Sequence, residues 1–340
     1  MCYYFCRMKK IIYTLKIIIV CIFVGTILLA VLSYREKPEK VTYGMSFSKF
    51  RTDELHLPFE ETFLAILNDL GVQHFRFSAH WPLTEPEEGV FNFKELDYQM
   101  SEALRKDAQV VFAVGRRLPR WPECHDPHWV EEKSIEQRNN ALLHYIEVVV
   151  NRYKDYPNIL YWQVENEPFL SLFAYDHCGE VDEEFLREEI ALVKTLDPER
   201  SVLVTDSGNL GTWHNAYQNG DVFGTSLYRY FWTPELGTFM SRLPAFFYDL
   251  KYNIMNLIYG RKDGVIIELS MEPWLTDEIV NTSISVQFER MDIEKMEEIA
   301  DFARKTGFDT QFLWGAEWWY WMKEHGHPQF WEKGKGFFEE

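Results

Sequence analysis

The chain has 340 residues, of which 46% are hydrophobic and 26% charged, which excludes a disordered, collagen-like or disulfide-scaffold protein and allows one large core. Its net charge of −18 is uneven: residues 1–40 hold seven of the 35 Lys/Arg and two of the 53 Asp/Glu, a local +5 that leaves −23 on the rest. Such a body repels a phosphate backbone, so nucleic acid is excluded as an expected partner.

At the N-terminus, Arg7, Lys9, Lys10 and Lys16 precede an uncharged run from Ile17 to Tyr34. A helix needs about 20 apolar residues to span a bilayer; extension back over Ile11 to Leu15, with Lys16 snorkelling, completes that length. Ala30-Val31-Leu32-Ser33 lacks a small-x-small cleavage site, so an uncleaved transmembrane signal-anchor is expected ahead of a cleaved signal peptide and a secreted product. Basic residues on both flanks favour the N-in orientation only weakly. The expected division is a cytoplasmic stub, transmembrane helix and linker over 1–40, and an extracytoplasmic body over 41–340 attached to the membrane by that helix. The body holds two cysteines, Cys124 and Cys178, which in an oxidising compartment either pair or stay as separate thiols.

From Val41 onward, strand patterns fall at Val41–Phe47, Gln73–Ser78, Gln109–Val114, Ile159–Val164, Ser201–Thr205, Val222–Ser226, Gly264–Ile267 and Thr310–Leu313. Between them, apolar residues recur at helical spacing over Phe59–Leu70, Phe93–Lys106, Ile135–Lys154, Glu183–Leu196 and Ile293–Thr306. Eight strands alternating with helices predict a (β/α)8 barrel, an α/β fold. An open doubly wound sheet is the alternative, but no G-x-G-x-x-G follows the first strand.

Barrel chemistry sits at the C-terminal strand ends. The fourth strand runs into Glu165-Asn166-Glu167-Pro168 and the seventh into Glu268. Two carboxylates across a barrel mouth suit glycosidic cleavage, one protonating the leaving oxygen and the other meeting the developing oxocarbenium carbon. A gap of about 5 to 5.5 Å retains configuration and one of about 6.5 to 9.5 Å inverts it. Glu272 is the rival to Glu268, which is preferred because it directly follows the apolar strand. Strict alternation puts Glu165 on the side of Glu167 and opposite Asn166, and a buried ion-pair role is expected for it.

The strand-Asn166-Glu167-Pro168 motif with a glutamate ending the seventh strand resembles the clan A retaining glycoside hydrolases, which include the family 5 cellulases. The resemblance covers 41–340 and implies that Glu167 is the general acid/base, Glu268 the nucleophile and Asn166 the holder of the sugar 2-hydroxyl. It likewise implies Arg76 beside the nucleophile, Tyr228 bonded to it and Trp314 as a sugar platform. The segment from Trp81 to Phe93 resembles the loop after the second strand of these enzymes. Physically, Arg76 and Tyr228 favour a charged Glu268, whereas Glu167 needs a raised pKa to act as an acid.

Aromatic residues crowd the same ends, and indole faces suit pyranose rings, although core filling is expected for at least half of them, Trp162 included. Trp81, Trp121, Trp318 and Glu317 are further candidate sugar contacts. The loop Arg116–His128 adds His125, expected to bind sugar hydroxyls or brace the glutamates. A metal site at its C-H-x-x-H spacing is weakly supported, and no metal or organic cofactor is expected. Cys178 lies in the neighbouring loop, which makes a Cys124–Cys178 bond sterically reasonable. The expected function is a retaining glycosidase acting on a β-linked glucan, mannan or related oligosaccharide; the alternatives are an anchored non-catalytic carbohydrate-binding barrel and a metal-dependent barrel hydrolase.

Overall fold

The computed structural model describes residues 2–170, 174–233, 236–275 and 277–339, without the side chains of residues 2–12 and 15. Eight parallel strands close into a barrel: β1 (Thr42–Ser46), β2 (His74–Ser78), β3 (Gln109–Val114), β4 (Ile159–Val164), β5 (Val202–Asp206), β6 (Val222–Leu227), β7 (Gly264–Ser270) and β8 (Thr310–Trp314). Each pairs with its sequence neighbours, and β8 closes on β1 with Gly44 opposite Phe312. All eight expected strands form. The seventh and eighth run further than the apolar pattern indicated, carrying Glu268 and Trp314 inside strands.

Two cores follow from the alternation of each strand. Val111, Leu203, Val222, Val265, Ile267 and Phe312 fill the barrel interior. Their neighbours, such as Phe75, Phe77, Val110, Trp162 and Leu269, face the helices in a second, larger core. A Cβ on Gly44 would lie 2.5 Å from the Phe312 ring, so the interior closes over a large aromatic only because β1 has no side chain there.

The outer layer forms where apolar spacing and end signals coincide. The helix Ile135–Tyr153 opens with a capping box between Ser134 and Gln137 and buries Leu142, Tyr145, Ile146, Val149, Val150 and Tyr153 along one face. Asp182 and Asp292 cap Glu183–Leu196 and Ile293–Arg304 through the backbone N–H groups of Phe185 and Lys295. The helix Ala245–Tyr259 and a hairpin of Tyr230–Thr233 with Gly237–Met240 lie between β6 and β7, where no element was predicted.

The expected transmembrane anchor is corrected here. A helix covers Cys2–Leu32, but among the described residues no helix is long and apolar enough to cross a membrane. The end of the uncharged run is also occupied elsewhere. Asn253, on a barrel helix, donates to the carbonyls of Leu32 at 2.7 Å and Tyr34 at 3.0 Å. Lys37 pairs with the buried Asp249 at 2.5 Å on the same helix, so the segment after residue 32 is tied to the barrel wall.

Candidate active site

The end of β7 owes its geometry to a bulge. Against β6 the register skips one residue, from Thr225 opposite Ile266 to Ser226 opposite Glu268. Val265 and Ile267 face the interior and Ile266 and Leu269 the outer core, so plain alternation would send Glu268 outward with Ile266. The extra residue turns it into the mouth. There its Oε1 accepts from Arg76 Nη1 at 2.7 Å and its Oε2 from the Tyr228 hydroxyl at 2.9 Å. Arg76, on β2, is 1% exposed and also donates Nε to Gln163 Oε1 at 2.8 Å and Nη2 to Asn166 Oδ1 at 2.7 Å. Burial, then the charges of Glu268, Glu167 and Glu123, raises the Tyr228 phenol well above its ordinary value, so it remains a donor.

The end of β4 departs from alternation in another way. Glu165 and Glu167 both adopt left-handed backbone, with φ of 59° and 46°. Such a conformation costs non-glycine residues about 1–3 kcal/mol each and is held here by local hydrogen bonds. The two kinks separate what the pleat would have kept together. Asn166 and Glu167 enter the mouth while Glu165 turns away, accepting from the backbone N–H of Arg116 at 2.7 Å and of Arg117 at 2.5 Å. Its side-chain partner is Glu189 rather than a cation, which corrects the expected ion pair. Burial raises both carboxyls, Glu189 the further, because it also faces the charge of Glu165 and hydrogen-bonds it. Gly115 makes room: a Cβ there would sit 2.4 Å from Glu165 Oε1.

Glu167 lacks the partners that Glu268 has. Its backbone N–H donates to Thr205 Oγ1 at 2.8 Å, and its Oε1 is buried without a partner among the described residues. Burial first, then the negative charge of Glu268, with Glu123 and Asp206 adding to it, raises this carboxyl well above the usual range against a weaker pull from a Ser226 hydrogen bond. Both Glu167 and Glu268 are 7% exposed, so they sit in a narrow opening. A separate cavity, of about 710 Å³, lies on the outer wall beside Phe59, Lys94 and Tyr98 and contains none of the mouth carboxylates.

A third carboxylate, Glu123, reaches this site from the loop after β3, and sequence reasoning passed over it in favour of His125 and the arginines. The only local signal was an acidic residue beside Cys124 in a Pro- and Arg-rich loop. The loop is tightly held: Arg117 bridges Cys124, Leu118 N–H donates to Glu123 O at 2.9 Å, and Arg116 forks onto Asp126. Cys124 and Cys178, which the sequence leaves open between a bond and two separate thiols, are disulfide-bonded with Cα atoms 5.3 Å apart. Asn166 Nδ2 donates to Glu123 Oε2 at 3.4 Å. Enclosure, then the charge of Glu268, pushes Glu123 up to about 7, against Arg117, the Asn166 hydrogen bond and Arg76.

The structure therefore brings together Glu167, Glu268, Asn166, Arg76 and Tyr228. Trp314 joins them, its ring 6.0 Å from Tyr228 and under the Arg120 guanidinium at 4.5 Å, with a buried indole N–H that has no partner among the described residues. Trp274 meets the far side of the group, 5.5 Å from Tyr228.

The remaining predicted contacts are corrected. Trp81 is fully buried and donates to Glu85 at 2.7 Å, and Trp318 is fully buried and donates to Gln287 at 2.7 Å, so both are core. Trp121 is 65% exposed and packs on His177 outside the carboxylate cluster. His125 stacks on Phe50 and hydrogen-bonds Arg120 O at 3.0 Å; burial lowers it to about 4, and it braces the loop as a neutral ring. Glu317 is buried and accepts from Ser48 N–H at 2.8 Å. Glu272 is bound by Arg51 and Arg120 at 2.7 Å each, and although burial opposes it, these cations hold it below the ordinary value. It is a structural ion pair, not a rival to Glu268. Among the described residues no cluster of His, Cys, Asp or Glu could hold a metal ion.

A closed parallel barrel carrying these carboxylates at its C-terminal mouth has the architecture of the clan A glycoside hydrolases. The sequence model of glycoside hydrolase family 42, described as β-galactosidase, matches residues 60–312, and the chain belongs to that family. Solved structures share the fold at low identity. The β-galactosidase from the Antarctic haloarchaeon Halorubrum lacusprofundi matches at TM-score 0.53 and 14% identity, over 80% of this chain and 52% of that one; the chain thus spans about half its length. The GH5_18 protein from Streptomyces cattleya, in complex with GlcNAc, matches at TM-score 0.58 and 13% identity over 81% and 70%. A family 10 endo-β-1,4-xylanase from Gloeophyllum trabeum matches at 0.51 and 18% over 82% and 85%.

Proposed function

We propose that this glycoside hydrolase cleaves β-linked sugars with retention of configuration, Glu268 acting as nucleophile and Glu167 as general acid and then base. The observation that carries this reading is the contrast between the two carboxyls: Glu268 has both oxygens bound by Arg76 and Tyr228, whereas Glu167 has a free buried oxygen and a raised pKa. In the first displacement Glu268 bonds the anomeric carbon as the glycosidic C–O bond breaks, and the Glu167 proton passes to the leaving oxygen. In the second, Glu167 takes a proton from water, which attacks the same carbon and releases Glu268. Asn166, held by Arg76, Gln163 and Thr205, is placed to engage the 2-substituent.

The family description makes β-galactosides the first substrates to examine, beside β-glucans and β-mannans. Residues 41–340 form the proposed catalytic unit, and the Cys124–Cys178 bond supports an extracytoplasmic location. The test is a panel of nitrophenyl β-glycosides followed by proton NMR of the first-formed sugar. A β-anomer is expected. An α-anomer overturns the two-step mechanism, and absence of turnover across the panel overturns the glycosidase reading.

A further inference from the structure

The two-glutamate reaction has no use for Glu123, yet the fold invests in its position. Its backbone is left-handed at φ 76°, as is that of Arg120 at 99°, in a loop pinned by the disulfide, the Arg117–Cys124 bridge and the Arg116–Asp126 fork. A residue held this way far from any site would relax at no loss, so the constraint points to a function for the side chain it aims. That side chain meets Asn166 Nδ2, which among the described residues donates to no other group; Asn166 Oδ1 is committed to Arg76, Gln163 and Thr205. Its charge acts on Glu167 and Tyr228 as well, so it lies within the same opening. Unlike Glu272, Glu123 forms no ion pair among the described residues, and unlike Glu165 its carboxylate takes no backbone donor.

We infer that Glu123 is a specificity-determining residue whose carboxylate accepts a hydrogen bond from the substituent at C2 of the sugar attacked by Glu268, so that the site selects sugars with a donor there. The inference rests on the proposed glycosidase reading. A carboxylate accepts only, so a 2-hydroxyl or 2-ammonium satisfies it, whereas a 2-deoxy sugar leaves it enclosed beside Glu268 with the Asn166 amide as its nearest donor. Its position near neutrality fits a group whose charge a bound donor would secure.

The test compares wild type and E123Q on whichever of 4-nitrophenyl β-galactoside, β-glucoside or β-mannoside the wild type cleaves fastest, and on its 2-deoxy analogue. We expect kcat/KM of E123Q to fall about 10- to 100-fold on the 2-hydroxy sugar and less than about three-fold on the 2-deoxy one. Equal losses on the two, or none, overturn the role of Glu123 and leave the glycosidase reading intact; no turnover by the wild type overturns both. In an Asn166→Ala background the E123Q loss persists if the carboxylate touches the sugar, and its disappearance overturns direct contact. Glu123→Asp, which keeps the charge and shortens the reach, supplies the same comparison if E123Q fails to fold.

Discussion

The ends of β4 and β7 present the same side chain to one opening and make two different groups of it. At β7 a bulge delivers Glu268 into a ready-made set of donors, a buried arginine and a phenol, so its negative charge is matched before any substrate arrives. At β4 two left-handed residues deliver Glu167 into a place with an unpartnered oxygen and several negative neighbours, which favours its protonated form. Burial is the same at 7%, so partners rather than depth separate the two. Glu272 sharpens the point: four residues beyond Glu268 and 3% exposed, it meets two arginines at one oxygen and no phenol, and is held as a structural ion pair.

The largest way to break this contrast is to remove its charged member. Glu268→Ala should lower kcat on a nitrophenyl glycoside by about 10⁴- to 10⁶-fold while the protein still melts cooperatively. Azide should then restore product of the opposite anomeric configuration, and activity retained in the variant would dismiss Glu268 as nucleophile.

Removing the protonated member comes next. Glu167→Gln should cost about 10²- to 10⁴-fold on alkyl glycosides and far less on dinitrophenyl glycosides, whose leaving groups need no acid. The wild-type profile of kcat/KM should fall on the alkaline side as Glu167 loses its proton. Since Glu268, Glu123 and Asp206 all raise this group against Ser226, E123Q removes one negative neighbour and should move that limb towards lower pH. A limb that stays put in E123Q would place Glu123 outside the electrostatic reach of Glu167.

Tyr228→Phe removes one of the two donors to Glu268 and should lower kcat/KM about 10- to 100-fold, the range for a hydrogen bond to a charged group. An unchanged value would show that Arg76 alone sustains the carboxylate.

The smallest effect concerns the face of β4 that turns away from the mouth. Glu189 is raised in the folded state, so its contribution to stability is complete below the ordinary glutamate value and is lost as pH rises towards the folded one. Glu189→Gln keeps a donor for Glu165 without a titrating proton. Its melting temperature should therefore decline less between pH 5 and 8 than that of the wild type, and a parallel decline would mean that the pair does not share a proton.

The eight-stranded plan was legible from residue order alone because strand alternation and helical spacing are local consequences of backbone geometry, and each barrel strand meets its own neighbours in the chain. Asn166, Glu167 and Glu268 were legible because they sit where apolar runs stop. Sequence did not show how Glu165 turns away and Glu268 turns in, since a left-handed residue and a bulge each break the period on which the reading depends. Periodicity could not sort the tryptophans: Trp81, Trp318 and Trp314 all lie at or beyond strand ends, the family resemblance alone picked out Trp314, and packing makes the other two core indoles. Glu123 was beyond reach for the same reason. Its role depends on where a loop with no period of its own carries a carboxylate, and that was decided by a disulfide and an amide 54 and 43 residues away along the chain.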